Sequence, residues 1–307
     1  MTNETIISIL KKEYIAPGDK VTKVCAAIRQ RHPDRVLAFI YYGSSLREMD
    51  NPDKMLDFYV IVDSYRKTHT NPLRALLNAI IPPAVYYHQM EHDDGVTTTC
   101  KYSIMSIKAF ERRCSQSAFL SMTWGRFSQP CVILFPKDES IENRLLGARA
   151  TAVKHIAKET APLINEPTNA ISFWARGFRE SYRTELRPEK AEDRSEEIVA
   201  RYAERYEALS DAIFGKANDG GLYQITSEIS ASSAKRRWLF RRLLGKPLGA
   251  VRILNSAFTF TGGFDYLQHK LKSHSGVTVE ATDHQRRHPI LWSPVLAWKY
   301  WRKGAFR

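Results

Sequence analysis

The order of hydrophobic and polar positions divides the chain into strand-rich and helix-rich stretches. Two apolar runs, "RVLAFIYYG" and "MLDFYVIVD", predict buried strands, because short apolar runs bounded by turn residues are covered on both faces. "AVYYHQM" and "TTTCKYSIMSI" predict a strand pair joined across "EHDDG", a turn composition, and "CVILF" predicts a short buried strand before Pro136. Helical spacing covers residues 5–15 and 19–32, "PLRALLNAII" as far as Pro82-Pro83, and "IKAFERRCSQSAFLSMTWGRF", expected as one helix closing near Gly125. From Glu139 to about Lys216 the period is helical, including "RSEEIVARYAERYEALSDAIF". "RPEKAEDRSEE" reads as a solvated loop and helix start, and "KANDGGLYQITSEISASS" as a linker or lid. The expected organisation is a mixed α/β domain over residues 1–136, a helical domain over 137–220, and a linker with a basic, Trp-rich region over 221–307.

Length and composition narrow the class. The 307 residues are 43% hydrophobic and 11% aromatic, enough for more than one globular core and too apolar for a disordered chain. Cys25, Cys100, Cys114 and Cys131 form no C-x-x-C pair, which argues against a zinc ribbon and reads as buried thiols in a reducing compartment. No apolar run reaches the ~18 residues of a spanning helix. The N-terminus lacks the features of a secretory signal or an Arg-rich transit peptide, so a cytoplasmic protein is expected.

Charge changes the picture most. Residues 231–307 hold 15 Lys+Arg and 3 Asp+Glu, nearly all of the chain's net +13, together with four of its six tryptophans. Such asymmetry implies an anionic partner, either nucleic acid or a membrane surface. "AKRRWLFRRLLGKPLGAVRIL" alternates basic and large apolar residues. The abundance of Leu, Ile and Val between the charges favours an anionic membrane surface over nucleic acid, with Arg236, Arg237, Trp238, Arg241, Arg242, Trp298 and Trp301 as contacts. The histidines of the tail have no cysteines nearby and no H-E-x-x-H spacing, which disfavours a metal site there.

Candidate chemistry centres on "YGSS" followed by "MLDFYVIVD". Gly43 lets a phosphate approach the backbone, Ser44 and Ser45 add hydroxyl donors, and Asp57 offers a hard oxygen ligand at the mouth of the next strand. That is the layout of a nucleotidyl transferase, in which the turn grips a triphosphate and a carboxylate-bound Mg²⁺ offsets charge at the α-phosphate. A polar turn followed by a strand-opening Asp is the competing reading. Tyr59 stands where the usual Asp-x-Asp pattern has its second carboxylate. Asp63 lies roughly 20 Å further along an extended strand, too far to share one ion.

"YGSS" and "MLDFYVIVD", with "AVYYHQ", "KYSIMS" and "WGRFSQPCVIL" following in order, resemble the mitochondrial-type phosphatidate cytidylyltransferases, the CDP-diacylglycerol synthases of the translocator assembly and maintenance family. The weaker stretch "FWARGFRESYRTEL" extends the resemblance to about residue 190. That family carries a Gly-Ser-Gly turn and lacks the second Asp, as this chain does; Ser45 and Ser103 are departures from its glycines. The resemblance implies an α/β nucleotidyltransferase-like domain with a mixed sheet, followed by a mainly helical domain and a basic amphipathic C-terminal region. It implies condensation of CTP with phosphatidate to CDP-diacylglycerol and pyrophosphate, with Mg²⁺ on catalytic Asp57.

On this reading Gly43, Ser44, Ser45, Lys101, Tyr102 and Arg126 hold the nucleotide. Lys101 otherwise reads as a surface lysine and Arg126 as a charge compensating a helix C-terminus. Tyr102 and Tyr87 either stack on cytosine or fill the core. Arg179 and Arg183 share a helical face and either grip the phosphatidate headgroup or stay solvated. The expected location is peripheral, on the cytoplasmic face of a bacterial inner membrane. The alternatives are a nucleotidyl transferase acting on RNA or another acceptor, and an inactive relative that only binds membranes.

Overall fold

The computed structural model describes residues 3–47, 54–91, 97–185, 191–256 and 282–287, together with Val295, Trp298, Lys299, Arg302 and Lys303. In chain order the elements are α1 (Asn3–Lys11), α2 (Asp19–Arg31), β1 (Val36–Tyr42), α3 (Ser44–Arg47), β2 (Leu56–Val62), α4 (Tyr65–Thr68), α5 (Pro72–Ile80), β3 (Ala84–Glu91) and β4 (Thr97–Ser106). There follow α6 (Ile107–Cys114), α7 (Ser121–Phe127), β5 (Val132–Leu134), α8 (Glu139–Thr160), α9 (Ala170–Tyr182), α10 (Ala191–Arg201), α11 (Ala203–Phe214) and α12 (Ala231–Ser256).

The apolar runs are strands of one five-stranded sheet, ordered β3-β4-β2-β1-β5. β1 is antiparallel to β2 and to β5, β3 is antiparallel to β4, and β2 and β4 run parallel, so the sheet is mixed and the fold α/β. Alternation along the strands sorts side chains onto two faces. One face carries Phe39, Tyr41, Phe58, Val60, Tyr102 and Ile104, which pack with Val21, Val24, Cys25 and Ile28 of α2. The other carries Tyr42, Asp57, Lys101 and Tyr87 in one cross-strand row.

The chain forms two compact units that interleave in sequence. The sheet unit comprises residues 15–109, 131–142 and 248–307, and the helical unit comprises 1–14, 110–130 and 143–247. The boundary expected at residue 136 therefore falls inside the 131–142 segment of the sheet unit. In the helical unit, Trp174 and Tyr206 are buried, and the Trp174 indole donates to Ser210 Oγ at 2.9 Å. α7 and α9 approach closely at Gly125, where a Cβ would stand 2.1 Å from Ser181 Oγ.

Three expectations change. The helix anticipated over 107–127 is two, α6 and α7, because the Ser115 hydroxyl bonds back to Arg112 O and the segment then turns through Ala118 N–H to Ser115 O. The helical run 194–214 is likewise interrupted at Tyr202 between α10 and α11. The polar segment 215–230 carries no helix, yet it is anchored: Tyr223 is buried, pairs with Thr168 and donates to Asp211 Oδ1 at 2.8 Å. Among the described residues no helix is long and apolar enough to cross a membrane.

Candidate functional site

β1 ends where its apolar run ends, at Gly43, whose φ of +92° is a left-handed value that L side chains rarely adopt. This turn folds the chain against the first polar residue of β2. A Cβ at Gly43 would lie 3.0 Å from Asp57 Oδ2, so the bare α-carbon leaves a notch beside the carboxylate. Ser44 is half-buried at the start of α3, whereas Ser45 is buried at 1% exposure. α3 is a single turn, so backbone conformation at the notch matters more here than any helix dipole.

Register then builds the rest of the site. Asp57 pairs with Tyr42 on one side and with Lys101 on the other, and Lys101 pairs with Tyr87. Lys101 Nζ lies 2.9 Å from Asp57 Oδ1. Tyr87 is half-buried at the end of the row, and its hydroxyl accepts from Gln89 Nε2 at 2.9 Å. Beneath the row sits Tyr59, fully buried, its ring 5.3 Å from that of Tyr42. Residue 59 shares the face of Asp57, as strand parity requires, and serves as an aromatic floor. A carboxylate, an ammonium and two phenols thus form one row across this face of the sheet.

Tyr102 is not in that row. It pairs with Phe58 and faces α2, 1% exposed, with its ring stacked on Tyr86 at 5.2 Å and its hydroxyl 3.3 Å from His32 Nε2. It therefore cannot meet a ligand held by Asp57; one residue along a strand turns a side chain to the opposite face. Its surroundings form a closed polar network. The Asn78 amide donates to His69 Nε2 at 2.9 Å, which puts the His69 proton on Nδ1, 3.0 Å from the Tyr86 hydroxyl. Burial, with smaller contributions from His32 and Arg74, lowers the His69 pKa to about 4, so the ring is neutral at neutral pH.

Arg126, Arg179 and Arg183 belong to the helical unit. Arg126 NH2 lies 3.2 Å from Glu185 Oε2, and Arg183 pairs with Glu180 at 3.5 Å and with Glu192. Of the residues expected at a membrane surface, Trp238 and Arg241 are fully buried, which corrects that reading. Arg241 NH1 lies 2.6 Å from Glu159 Oε2, its guanidinium stands 4.7 Å from the Trp238 ring centroid, and the Trp238 indole donates to Glu159 O at 3.1 Å. Arg237 also pairs with Glu159 and Arg242 with Glu180, while Arg236 and Trp298 are exposed; Trp301 lies outside the described residues. Sequence reasoning missed Tyr42, whose place in the row follows only from the β1–β2 register.

Among the described residues no group of three His, Cys, Asp or Glu side chains assembles around a common point. Asp63, at the far end of β2, is engaged by Arg35 at 3.3 Å and by the Ser64 N–H at 2.7 Å. Asp57 beside the Gly43 notch is thus a one-carboxylate site. It fits a cation that arrives on nucleotide phosphates, since Mg²⁺ is typically held by one or two carboxylates with phosphate and water completing the shell. Neither the protein-family models nor the curated proteins match this chain.

Proposed function

We propose that the chain is a phosphatidate cytidylyltransferase, which condenses CTP with phosphatidate to CDP-diacylglycerol and pyrophosphate. The observation that carries this reading is the cross-strand row, in which the Gly43 notch opens on Asp57 and Lys101 stands 2.9 Å from its carboxylate. The motif order that resembles the cytidylyltransferases supplies the substrates.

In this reading the triphosphate lies along the Gly43–Ser44 turn, and Lys101 leaves Asp57 to neutralise phosphate oxygens. Tyr87 and Tyr42 flank the row, with Tyr87 placed to stack on cytosine. A phosphatidate oxygen attacks the α-phosphorus in line. The new P–O bond forms as the bond to the β-phosphate bridge breaks, and pyrophosphate leaves with that electron pair. The monoester is already ionised, so no strong general base is required. Mg²⁺ held by Asp57 would supply charge neutralisation at the α-phosphate and the leaving group.

The test is CDP-diacylglycerol formation from CTP and phosphatidate in mixed micelles with Mg²⁺. The wild-type chain is expected to make product, Asp57→Asn to make none, and Lys101→Ala to lose at least about 10²-fold in kcat/KM. The Asp57–Lys101 ion pair would also survive in a relative that has stopped turning over. Calorimetry with Mg²⁺-CTP separates the two: absence of both product and nucleotide binding retires the enzyme reading.

A further inference from the structure

The carboxylate assigned to the metal is already occupied by the chain itself. β2 and β4 run parallel with Asp57 opposite Lys101, and the lysine ammonium lies 2.9 Å from Asp57 Oδ1. The pair is sheltered, with the Asp57 side chain 19% and the Lys101 side chain 27% exposed. Oδ1 is buried and has no aligned hydrogen-bond donor, so charge holds the ammonium there. The two oxygens of this carboxylate thus have different neighbours. Oδ1 lies under the ammonium, and Oδ2 borders the Gly43 notch, 3.0 Å from where a Cβ would stand.

Asp63, at the other end of β2, is held differently. It accepts the Ser64 N–H at 2.7 Å and a hydrogen bond from the Arg35 guanidinium at 3.3 Å. Directional bonds fix that carboxylate in place. Lysine instead carries a compact charge on a flexible four-carbon stem, and its ammonium can swing away without breaking a planar, two-pronged contact. Lys101 therefore covers Asp57 in a reversible way. A free divalent cation has to share the carboxylate with a positive charge in a partly desolvated site, where like charges repel more strongly than in water. A polyphosphate changes that balance, because its oxygens give the ammonium a new partner as the carboxylate is uncovered.

We propose that Lys101 is a latch on Asp57, which keeps free divalent cations off the carboxylate and yields only to a cation already bound to a polyphosphate. Metal and nucleotide then enter as one complex. Departure of pyrophosphate returns the ammonium to Asp57 and clears the site for the next round. This rests on the proposed function only in taking Asp57 as the metal ligand; base and lipid play no part in it.

Equilibrium dialysis of the full chain against Mn²⁺ tests the latch, with Asp57→Asn introduced into each chain to measure and subtract binding elsewhere. Wild-type chain is expected to retain no Asp57-dependent Mn²⁺ by itself and to gain it when inorganic tripolyphosphate is added. Lys101→Met is expected to bind free Mn²⁺ at least about 10-fold more tightly than wild type, whereas Lys101→Arg, which keeps the charge, is expected to keep the ion out. Equal Asp57-dependent retention of free Mn²⁺ by wild type and Lys101→Met, zero included, would overturn the latch. Retention by Lys101→Arg at the level of Lys101→Met would do the same, since the charge would then not be what excludes the ion. The wild-type arms need no change at position 101: Mn²⁺ held as well without tripolyphosphate as with it also refutes the latch. CDP-diacylglycerol formation is a separate readout. Product from a chain that also holds free Mn²⁺ at Asp57 sinks the latch alone, and a working latch without product sinks the transferase alone.

Discussion

Glu159 is a buried carboxylate and Glu13 a part-buried one, and each keeps its charge because arginines surround it. At Glu159 burial alone would raise the pKa; His155, Arg241 and Arg237 outweigh it and hold the carboxyl at about 2. The folded value lies below the unfolded one, so the stabilisation is complete above the ordinary carboxylate range near 4.5 and fades as pH falls toward 2. Glu159→Gln leaves Arg241 buried, stacked among Phe119, Trp124 and Trp238, without a counter-charge. The expected cost is about 3–5 kcal/mol at pH 7, shrinking as both proteins are taken toward pH 2. Urea titrations of the two proteins across that range check it; a gap constant with pH would show that the carboxylate charge is not what matters.

At the scale of elements, strand register decides which aromatic residue can serve the site. Tyr87 and Tyr102 come from neighbouring strands, yet β3–β4 pairing sets Tyr87 beside Lys101 and turns Tyr102 toward α2. Tyr87→Ala is therefore expected to weaken CTP binding by about 10-fold, the loss of one base-stacking partner. Tyr102→Phe is expected to leave CTP binding unchanged and to cost about 1 kcal/mol of stability through its lost bond to His32. Calorimetric titration with CTP and denaturant unfolding distinguish the two variants. The same logic applies to α12, where helical period turns Arg241 in and Leu243 out although both lie in one basic, apolar sequence run.

At the scale of the whole molecule, the helical unit is closed by residues from three separate parts of the chain. Glu13, just after α1, receives Arg149 and Arg205, each at 2.6 Å, and Arg149 is only 1% exposed. Burial would raise the Glu13 carboxyl, and Arg149 with Arg205 brings it below its ordinary value. Glu13→Ala is expected to destabilise the helical unit by about 3–5 kcal/mol, since it strands Arg149 in the interior. Trp124, Trp174 and Trp238 are all buried in that unit, so near-ultraviolet circular dichroism reports its unfolding directly. An unchanged melt in that signal would show that the chain start is not part of its cooperative core.

Local chemistry in the sequence was enough for the strands and for the notch. "VLAFIYY" is apolar throughout and "FYVIV" continues the second run behind the strand-opening Asp57, and glycine at position 43 announces backbone freedom before any neighbour is known. The helices were legible from period, with the breaks at residues 115–120 and 202 lost because serine back-bonding and helix-end geometry leave no periodic trace. What only tertiary structure decided were the pairings between distant positions. Lys101 finds Asp57, and Tyr42 joins them, through sheet register; Glu159 draws Arg241 and Trp238 inward across 82 and 79 residues of chain. A basic, tryptophan-rich helix looks the same in sequence whichever side faces out. The side is chosen by where a buried carboxylate waits, because an arginine leaves water only for a partner that replaces its hydration.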